Sequence, residues 1–282
     1  GTVGVETVVA GFSAAQAISR WGNGAQQSRY LPPFCEAEPP KATLAIDEAR
    51  VLFDPQRLNT RAHTSEKGFI LSGEKHAVPL AGEADVYLVA AHLEGNGPRL
   101  FLVERGCEGL SWKPSPAMGL RAAGLGTLHL DKVKVPSEAL LGNNEAFDYA
   151  ECLAHGALMR CALAVGTAQA VLDYVIPYCN EREAFGEPIS HRQSVAFMIA
   201  NMAIEIDAMR LLVWRAASLC EQGLPFVRET RLAQLLCNEK SMEVGTNGVQ
   251  LLGGHGFVKE HPVERWYRDL RATAIHTGGL HA

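Results

Sequence analysis

The chain has 282 residues, of which 47% are hydrophobic and 20% are charged, so it can bury a large core and is long enough for about two domains. Its formal net charge of -5 gives no electrostatic reason to expect a nucleic acid or an anionic membrane as partner. No apolar run reaches the roughly 18 residues of a membrane span, and no basic-then-apolar signal peptide opens the sequence. We therefore expect a globular protein that binds neither nucleic acid nor a membrane.

Cysteine usage supports the same class of protein. The seven cysteines are an odd number and form no CxxC pair. Scattered thiols of this kind are typical of reduced, mostly buried cysteines in a cytoplasmic protein. Neither the cysteines nor the histidines have the spacing of metal ligands, so no metal site is predicted.

The first segment, residues 1–34, is predicted to be helical. Small and apolar residues recur in it without the alternation of a strand, and Pro32 and Pro33 end it. Such a short helical segment cannot bury its own apolar face, so we expect it to pack on the rest of the chain.

The second segment, residues 35–141, is predicted to be a β domain. Short apolar runs separated by glycine and proline occur at Val86–Val89, Leu100–Val103, Leu110–Trp112 and Leu128–Leu130. Asn96 and Gly97 lie between the first two runs, and both residue types tolerate positive φ, which indicates a hairpin. The pattern as a whole predicts a small antiparallel barrel or sandwich.

The third segment, residues 142–282, changes to a helical pattern. Five apolar residues spaced 3, 4, 3 and 4 apart share one helix face: Ile199, Met202, Ile206, Met209 and Val213. Gly223 and Pro225 end that helix. With further helices before and after it, including one near 262–273, the segment predicts an up-and-down four-helix bundle.

Motifs along nearly the whole chain support a family assignment. They lie in 22–33, 118–121, 130–142, 181–193, 250–257 and 261–278. In content and order they resemble the acyl-CoA dehydrogenase family. The resemblance implies an α+β multidomain fold: 1–34 as the remnant of an N-terminal helical domain, 35–141 as a β-barrel and 142–282 as a four-helix bundle. The family has further helices before the position of residue 1.

The resemblance also implies a chemistry. Members of the family oxidise acyl-CoA thioesters: a glutamate removes the α-proton while the β-hydrogen leaves as hydride to FAD. Active members pass electrons to an electron-transfer flavoprotein. The reaction needs a positioned base, which contributes roughly 10²–10⁴-fold in rate.

The position of that base is not occupied by a glutamate. The C-terminal motif places Thr277 there, and a hydroxyl cannot deprotonate carbon near neutral pH. Some relatives carry the glutamate on a bundle helix instead, and that position matches Gly156. His276 and His155 flank the two positions, and His276 is a weak replacement candidate. No intact catalytic residue is therefore predicted.

The flavin-ring contacts of the family are also changed. In the stretch that matches T-E-P-G-A-G-S-D, Arg50 and Leu52 replace glycines and Phe53 replaces the serine. In the motif that matches G-x-K-x-W-I-T-N, the flavin-covering tryptophan is Ala77 and the threonine near N5 is Pro79. The acidic residues Glu48 and Asp54 are kept. These changes predict a degenerate flavin-ring site in which side chains fill space that the cofactor would need.

A second set of cofactor contacts is intact. In the family these residues reach the adenosine-pyrophosphate end of the FAD of a neighbouring subunit; here they are Arg182, Phe185, Gln193, Gln250, Gly253 and Gly254. A guanidinium can fork onto phosphate oxygens, and paired glycines let backbone approach the cofactor. The alternative is that the set only shapes a turn and caps a helix.

Three hypotheses follow. The chain is a degenerate subunit that serves a partner's FAD in a homo- or hetero-tetramer with an acyl-CoA dehydrogenase-like chain. Alternatively, it is a divergent active flavoenzyme with a replacement base, or a non-enzymatic protein that binds acyl-CoA or assists assembly.

Overall fold

The computed structural model describes residues 2–50, 52–142 and 147–275. The chain divides into two compact units, which we call the sheet unit and the helical unit. The sheet unit consists mainly of Val3–Ala117 and Arg121–Leu153. The helical unit begins at Ala154 and also takes in Met118–Leu120.

The sheet unit begins with the helices that the sequence predicts, α1 (Thr2–Trp21) and α2 (Gly24–Tyr30). A capping box starts α2: the Asn23 side chain accepts from the N–H of Gln26, and the Gln26 side chain accepts from the N–H of Asn23. The buried Gln26 amide also donates to the carbonyl oxygens of Glu138 and Leu140 at 2.8 and 2.9 Å. This motif residue therefore ties α2 to residues 138–140, which follow the last strand of the sheet unit.

Seven strands form one sheet in this unit: β1 (Ala42–Ala45), β2 (Arg61–Ser65), β3 (Gly68–Val78), β4 (Val86–Leu93), β5 (Gly97–Glu104), β6 (Leu110–Pro114) and β7 (Gly126–Pro136). The strand order is β1-β4-β2-β3-β7-β6, with β5 paired to β4. The prediction of a purely antiparallel domain is wrong, because β1 and β2 both pair with β4 in parallel. Parallel partners come from distant parts of the chain, so no local turn pattern could reveal them.

The sheet does not close on itself among the residues that the structure describes. Both β5 and β6 have a single paired neighbour, and no ladder joins them. β4 is buried on both faces. Tyr87, Val89 and Ala91 pack in one core, while Leu88 and Ala90 pack in a second core that includes α1. Burial on both faces explains why β4 reads as a continuous apolar run.

The predicted hairpin is present between β4 and β5, with Leu93 opposite Gly97. The positive φ angles fall on Gly95 (77°) and Gly97 (73°) rather than on Asn96. The loop is thus one residue longer than an Asn-Gly two-residue turn, and glycine takes both left-handed positions at no steric cost.

The helical unit contains α3 (Tyr149–Glu181, which begins in the sheet unit), α4 (Gln193–Glu221), α5 (Val227–Leu252) and α6 (Val263–Ile275). A short hairpin, β8 (Glu183–Ala184) and β9 (Glu187–Pro188), joins α3 to α4. The predicted apolar face of α4 is confirmed, since Met202, Ile206, Met209 and Val213 are buried and Ile199 packs against them. Gly223 (φ 68°) follows the end of α4, as expected.

The motif around Gly119 belongs to the helical unit by its contacts. The N–H of Leu120 donates to Asp269 Oδ1 at 2.7 Å, and Arg268 donates to the carbonyl oxygen of Met118 at 2.7 Å. A Cβ at Gly119 would lie 2.0 Å from the carbonyl oxygen of Arg268, so only glycine fits. The glycine of one motif and the Arg-Asp pair of another are therefore explained by one packing contact.

By length and hydropathy α3 could cross a membrane, with a mean hydropathy of 1.2 over its most apolar window. Within the chain 44% of that window is already buried, and core helices of globular proteins pass the same test. Its apolar residues pack on α4 and α5 in the helical core.

The outer face of α4 carries a set of exposed apolar side chains. Phe197, Ile204, Leu211 and Trp214 are each 59–65% exposed and lie on the side opposite the buried face. Large apolar residues grouped on one exposed helix face mark an interaction surface more often than an ordinary solvated face.

Candidate functional site

A cleft of about 660 Å³ opens in the helical unit where α3 ends, α4 begins and α5 ends. Its wall includes Tyr178, Arg182, Phe185, Arg192, Gln250 and Gly254. The cleft therefore brings together most of the residues that the sequence motifs predict as cofactor contacts. Gln193 is the exception: it is the exposed first residue of α4, and it lies beside the cleft wall rather than in it.

Arg182 directly follows α3, and its backbone is held on both sides. Its N–H donates to the carbonyl oxygen of Tyr178 at 2.9 Å, and its own carbonyl oxygen accepts from the N–H of Ile189 at 2.9 Å. Its side chain is exposed, and no residue in the described part of the chain pairs with the guanidinium. Because the backbone of Arg182 is held in place, its unpaired guanidinium stays at the cleft. The positive charge of this group favours the binding of an anion there.

Phe185 lies in the turn between β8 and β9 and is 96% exposed. It has φ 57°, and the following Gly186 has φ 85°. The guanidinium of Arg192 lies 5.4 Å from its ring centroid, and Arg192 also pairs with Glu187 at 3.3 Å. An aromatic ring held outside the core in a left-handed turn is available for contact with a ligand or another chain.

The three glycines after α5 have different structural roles. Gly253 has φ 57° and its N–H donates to the carbonyl oxygen of Gln250, so it caps the helix. A Cβ at Gly256 would lie 2.3 Å from the carbonyl oxygen of Val249, so that glycine serves packing. A Cβ at Gly254 would meet nothing within 4 Å, so packing does not require glycine there. The open side of Gly254 leaves its backbone accessible from the cleft.

Two further cleft residues were not among the sequence predictions. The hydroxyl of Tyr178 lies 2.8 Å from Nδ1 of His255 and 3.3 Å from the carbonyl oxygen of Leu252, and its single proton can be donated to either of them. Both residues line the cleft. The only sequence signal for them is that His255 stands inside the glycine motif and Tyr178 lies one helical turn before Arg182.

The predicted flavin-ring positions lie in the sheet unit. Phe53 is 3% exposed and packs in the core that contains α1. Arg50 lies over its ring at 5.8 Å, but Arg50 is exposed and Leu52 is 66% exposed. Of these three substitutions, only Phe53 places its side chain in the core, whereas the side chains of Arg50 and Leu52 are exposed; that these residues fill space the cofactor would need stays a prediction. Leu52 has φ 52°, so the loop keeps a backbone conformation that suits glycine.

Ala77 and Pro79 lie at and just beyond the end of β3, where the pairing with β7 is irregular. Ala77 has φ 50° and is half-buried, and Pro79 is buried. A buried proline offers neither a hydroxyl nor an N–H, so the hydrogen bond that a threonine would make is lost.

Glu48 and Lys75, which the two flavin-ring motifs keep, form a buried ion pair. Lys75 is fully buried, and its Nζ lies 2.9 Å from Glu48 Oε1 and 3.0 Å from the carbonyl oxygen of Ile46. The Glu48 carboxylate also accepts from the N–H groups of Asn59 and Thr60 at 2.7 and 2.9 Å. Burial lowers the pKa of Lys75 to about 8 despite the neighbouring carboxylate. These kept residues hold the loop onto β3 and thus have a structural role.

Of the two positions predicted for the base, the structure describes one. Thr277 and His276 lie outside the described residues. Gly156 is buried in α3. His155 next to it is buried, with Nδ1 3.8 Å from Cys220 Sγ and its ring 4.8 Å from that of Phe226. That histidine is packed between α4 and the start of α5. Among the described residues no group of three or more His, Cys, Asp or Glu could hold a metal ion.

Comparisons with known proteins agree with the fold and the motifs. Family models of the acyl-CoA dehydrogenase middle domain and C-terminal domain match residues 43–133 and 148–280. The mitochondrial short-chain specific acyl-CoA dehydrogenases of Rattus norvegicus and Sus scrofa are each 32% identical, over 93% and 98% of this chain. The chain spans 65% of the length of the first and 69% of the second.

Solved structures give the same result. Butyryl-CoA dehydrogenase from Megasphaera elsdenii aligns with a TM-score of 0.88 at 32% identity, over 97% of this chain and 74% of that one. A glutaryl-CoA dehydrogenase from Mycobacterium smegmatis in complex with FADH2 aligns with a TM-score of 0.89 at 26% identity, over 97% and 71%. With its fold, its ordered motifs and these relatives in agreement, the chain belongs to the acyl-CoA dehydrogenase family.

Proposed function

We propose that this chain is a degenerate acyl-CoA dehydrogenase-type subunit that contributes half of an FAD site to a partner chain. The observation that carries the proposal is Arg182: its guanidinium has no partner among the described residues, and it lines a cleft beside the open backbone of Gly254. An unpaired positive charge next to accessible backbone suits a phosphate-bearing ligand.

The cleft fits the diphosphate end of FAD. Arg182 can fork onto phosphate oxygens, Gly254 lets the ligand approach closely, and Phe185 offers an exposed ring. When bound, FAD supplies the hydride-accepting chemistry of the family, while these residues only hold and orient its phosphates.

The flavin-ring positions of the chain do not fit the cofactor. Phe53 belongs to a packed core, and Pro79 is buried without a hydrogen-bond donor. Thr277 stands where the family has its glutamate. We therefore assign no dehydrogenation step to the chain's own residues and expect a glutamate-bearing partner to perform it.

The outer face of α4 supports association with such a partner. Its exposed residues are Phe197, Ile204, Leu211 and Trp214. Covering them would remove apolar surface from water, at about 25 cal/mol for each Å². We propose a hetero-tetramer with an acyl-CoA dehydrogenase-like chain, in which the partner binds the acyl-CoA substrate and passes electrons to an electron-transfer flavoprotein.

The ratio of flavin to chain tests the proposal. The chain is purified alone and after co-expression with a glutamate-bearing member of the family, and flavin absorbance is divided by chain concentration. We expect little flavin in the chain alone and one flavin for two chains in the complex. Arg182→Met should lower that ratio, whereas the exposed Arg57→Met control should not. A flavin-free homotetramer without affinity for any such relative would refute the proposal.

A second candidate is a divergent active flavoenzyme. Its support is the 32% identity to short-chain specific acyl-CoA dehydrogenases, and its base would be His276 or an unrecognised carboxylate. A yellow preparation of the chain alone, bleached by butyryl-CoA, would favour this candidate. A colourless chain that binds acyl-CoA thioesters tightly would instead indicate a binding or assembly protein.

A further inference from the structure

The hydrogen bonds around Tyr178 constrain how His255 faces the cleft. Nδ1 of His255 lies 2.8 Å from the hydroxyl of Tyr178 on α3. That hydroxyl also lies 3.3 Å from the carbonyl oxygen of Leu252, which can only accept. His255 is exposed, and its Nε2 has no hydrogen-bond partner in the part of the chain that the structure describes. One ring nitrogen is therefore engaged and the other is available.

These partners make Nε2 a donor in two of the three proton arrangements of the ring. When the Tyr178 hydroxyl donates to Nδ1, a neutral His255 carries its proton on Nε2. When the ring is doubly protonated, Nδ1–H donates to the hydroxyl, the hydroxyl donates to Leu252, and Nε2–H is again a donor. Only the neutral tautomer with its proton on Nδ1 presents a lone pair on Nε2. An anion in the cleft would be repelled by that lone pair and therefore disfavours this tautomer.

Stacking fixes the plane of the ring. The rings of His255 and His261 are 5.1 Å apart and inclined by 17°. His261 is itself held by the hydroxyl of Tyr174 at 2.8 Å from its Nδ1, and the Tyr174 ring packs edge-on against Trp266 at 5.9 Å. Two tyrosine–histidine pairs thus support each other, so that His255 has little freedom to turn away from the cleft.

We propose that His255 is a ligand-binding residue that donates Nε2–H to a phosphate oxygen of an adenosine diphosphate ester, with Tyr178 as the residue that positions it. The inference rests on the proposed function for the cleft and adds a second donor beside Arg182. Both FAD and coenzyme A contain this diphosphate, so the ligand class is shared and the test must separate the two sources.

Binding is measured by calorimetry on the full chain with ADP as the common probe, then with FAD and with coenzyme A. His255→Phe keeps an aromatic ring for stacking but removes the donor, and we expect it to weaken ADP binding about 10-fold or more. His255→Gln restores an amide donor and should recover most of the affinity. The exposed His63→Phe in the sheet unit is the matched control and should bind like the unaltered chain.

Tyr178 is tested by a readout that a merely structural role would not change. In chain labelled with ¹⁵N-histidine, the ring nitrogen shifts report which nitrogen carries the proton. We expect the Nε2–H form of His255 in the unaltered chain, a mixture of tautomers in Tyr178→Phe, and a return toward Nε2–H when ADP is added. An unchanged tautomer in Tyr178→Phe would overturn the positioning role.

The outcomes separate this inference from the proposed function. If Arg182→Met loses ADP while His255→Phe binds normally, the role of His255 is refuted and the anion cleft stands. If coenzyme A binds far better than FAD and both depend on His255, the inference stands and the FAD half-site falls. No binding of ADP, FAD or coenzyme A at millimolar concentration refutes both.

Discussion

The buried ion pair of Lys75 and Glu48 gives the sharpest prediction of stability. Replacing Glu48 with Gln removes the carboxylate that is hydrogen-bonded to the fully buried ammonium group of Lys75. Even with that carboxylate present, burial lowers the pKa of Lys75 from 10.5 to about 8, which corresponds to about 3 kcal/mol against the charged form. We therefore expect E48Q to lower the free energy of unfolding of the sheet unit by about 3–5 kcal/mol.

Urea unfolding followed by circular dichroism, together with hydrogen exchange of the β3 amides, measures this loss. The double variant K75M/E48Q removes both charges, and most of the stability should return because no unpaired charge stays buried. The exposed pair of Lys41 and Glu83 is the matched control, and K41M should cost less than about 1 kcal/mol. The reasoning is refuted if E48Q costs no more stability than K41M. It is also refuted if the cost of the double variant K75M/E48Q equals the sum of the costs of K75M and E48Q alone.

Three further predictions follow from the backbone and from titration. Leu52→Gly should raise the free energy of unfolding by up to about 1 kcal/mol, because φ 52° suits glycine and the side chain is 66% exposed. The control is Leu224→Gly, at an exposed loop leucine without positive φ, which should lower the free energy of unfolding measured by urea unfolding. Gly256→Ala should cost about 1–3 kcal/mol, because its Cβ would meet a carbonyl oxygen at 2.3 Å, whereas Gly254→Ala should change thermal stability little; equal losses would contradict this difference. Burial alone would raise the pKa of Glu48, but the charge of the neighbouring ammonium group and the hydrogen bonds hold it below its usual range. Its stabilisation is therefore present above pH 4.5 and lost as pH falls through the lower folded pKa, so E48Q should flatten the acid limb of stability against pH.

Local patterns in the sequence predicted what depends on neighbouring residues. The spacing of Met202, Ile206 and Met209 predicted the buried face of α4, because helical periodicity alone decides which side chains share a face. The apolar runs on each side of Asn96 predicted the hairpin for the same reason, although glycine rather than Asn96 takes the left-handed position.

Features that depend on tertiary packing could not be predicted in this way. The parallel pairing of β1 with β4 joins residues separated by about 40 positions, and nothing local marks it. The contact of Tyr178 with His255 spans 77 positions and arises only because α3 and α5 end at the same cleft. The motif glycines likewise looked alike in sequence, and only the space around each one separates Gly254 from Gly256.

The exposed apolar face of α4 has a consequence for the amount of this protein in a cell. A copy without its partner displays Phe197, Ile204, Leu211 and Trp214 to solvent, together with the nearly bare ring of Phe185. Surfaces of this kind promote aggregation and bind the chaperones and proteases that sort unassembled chains. An orphan copy would therefore be removed faster than an assembled one, and the level of the chain would follow the level of the protein that covers this face.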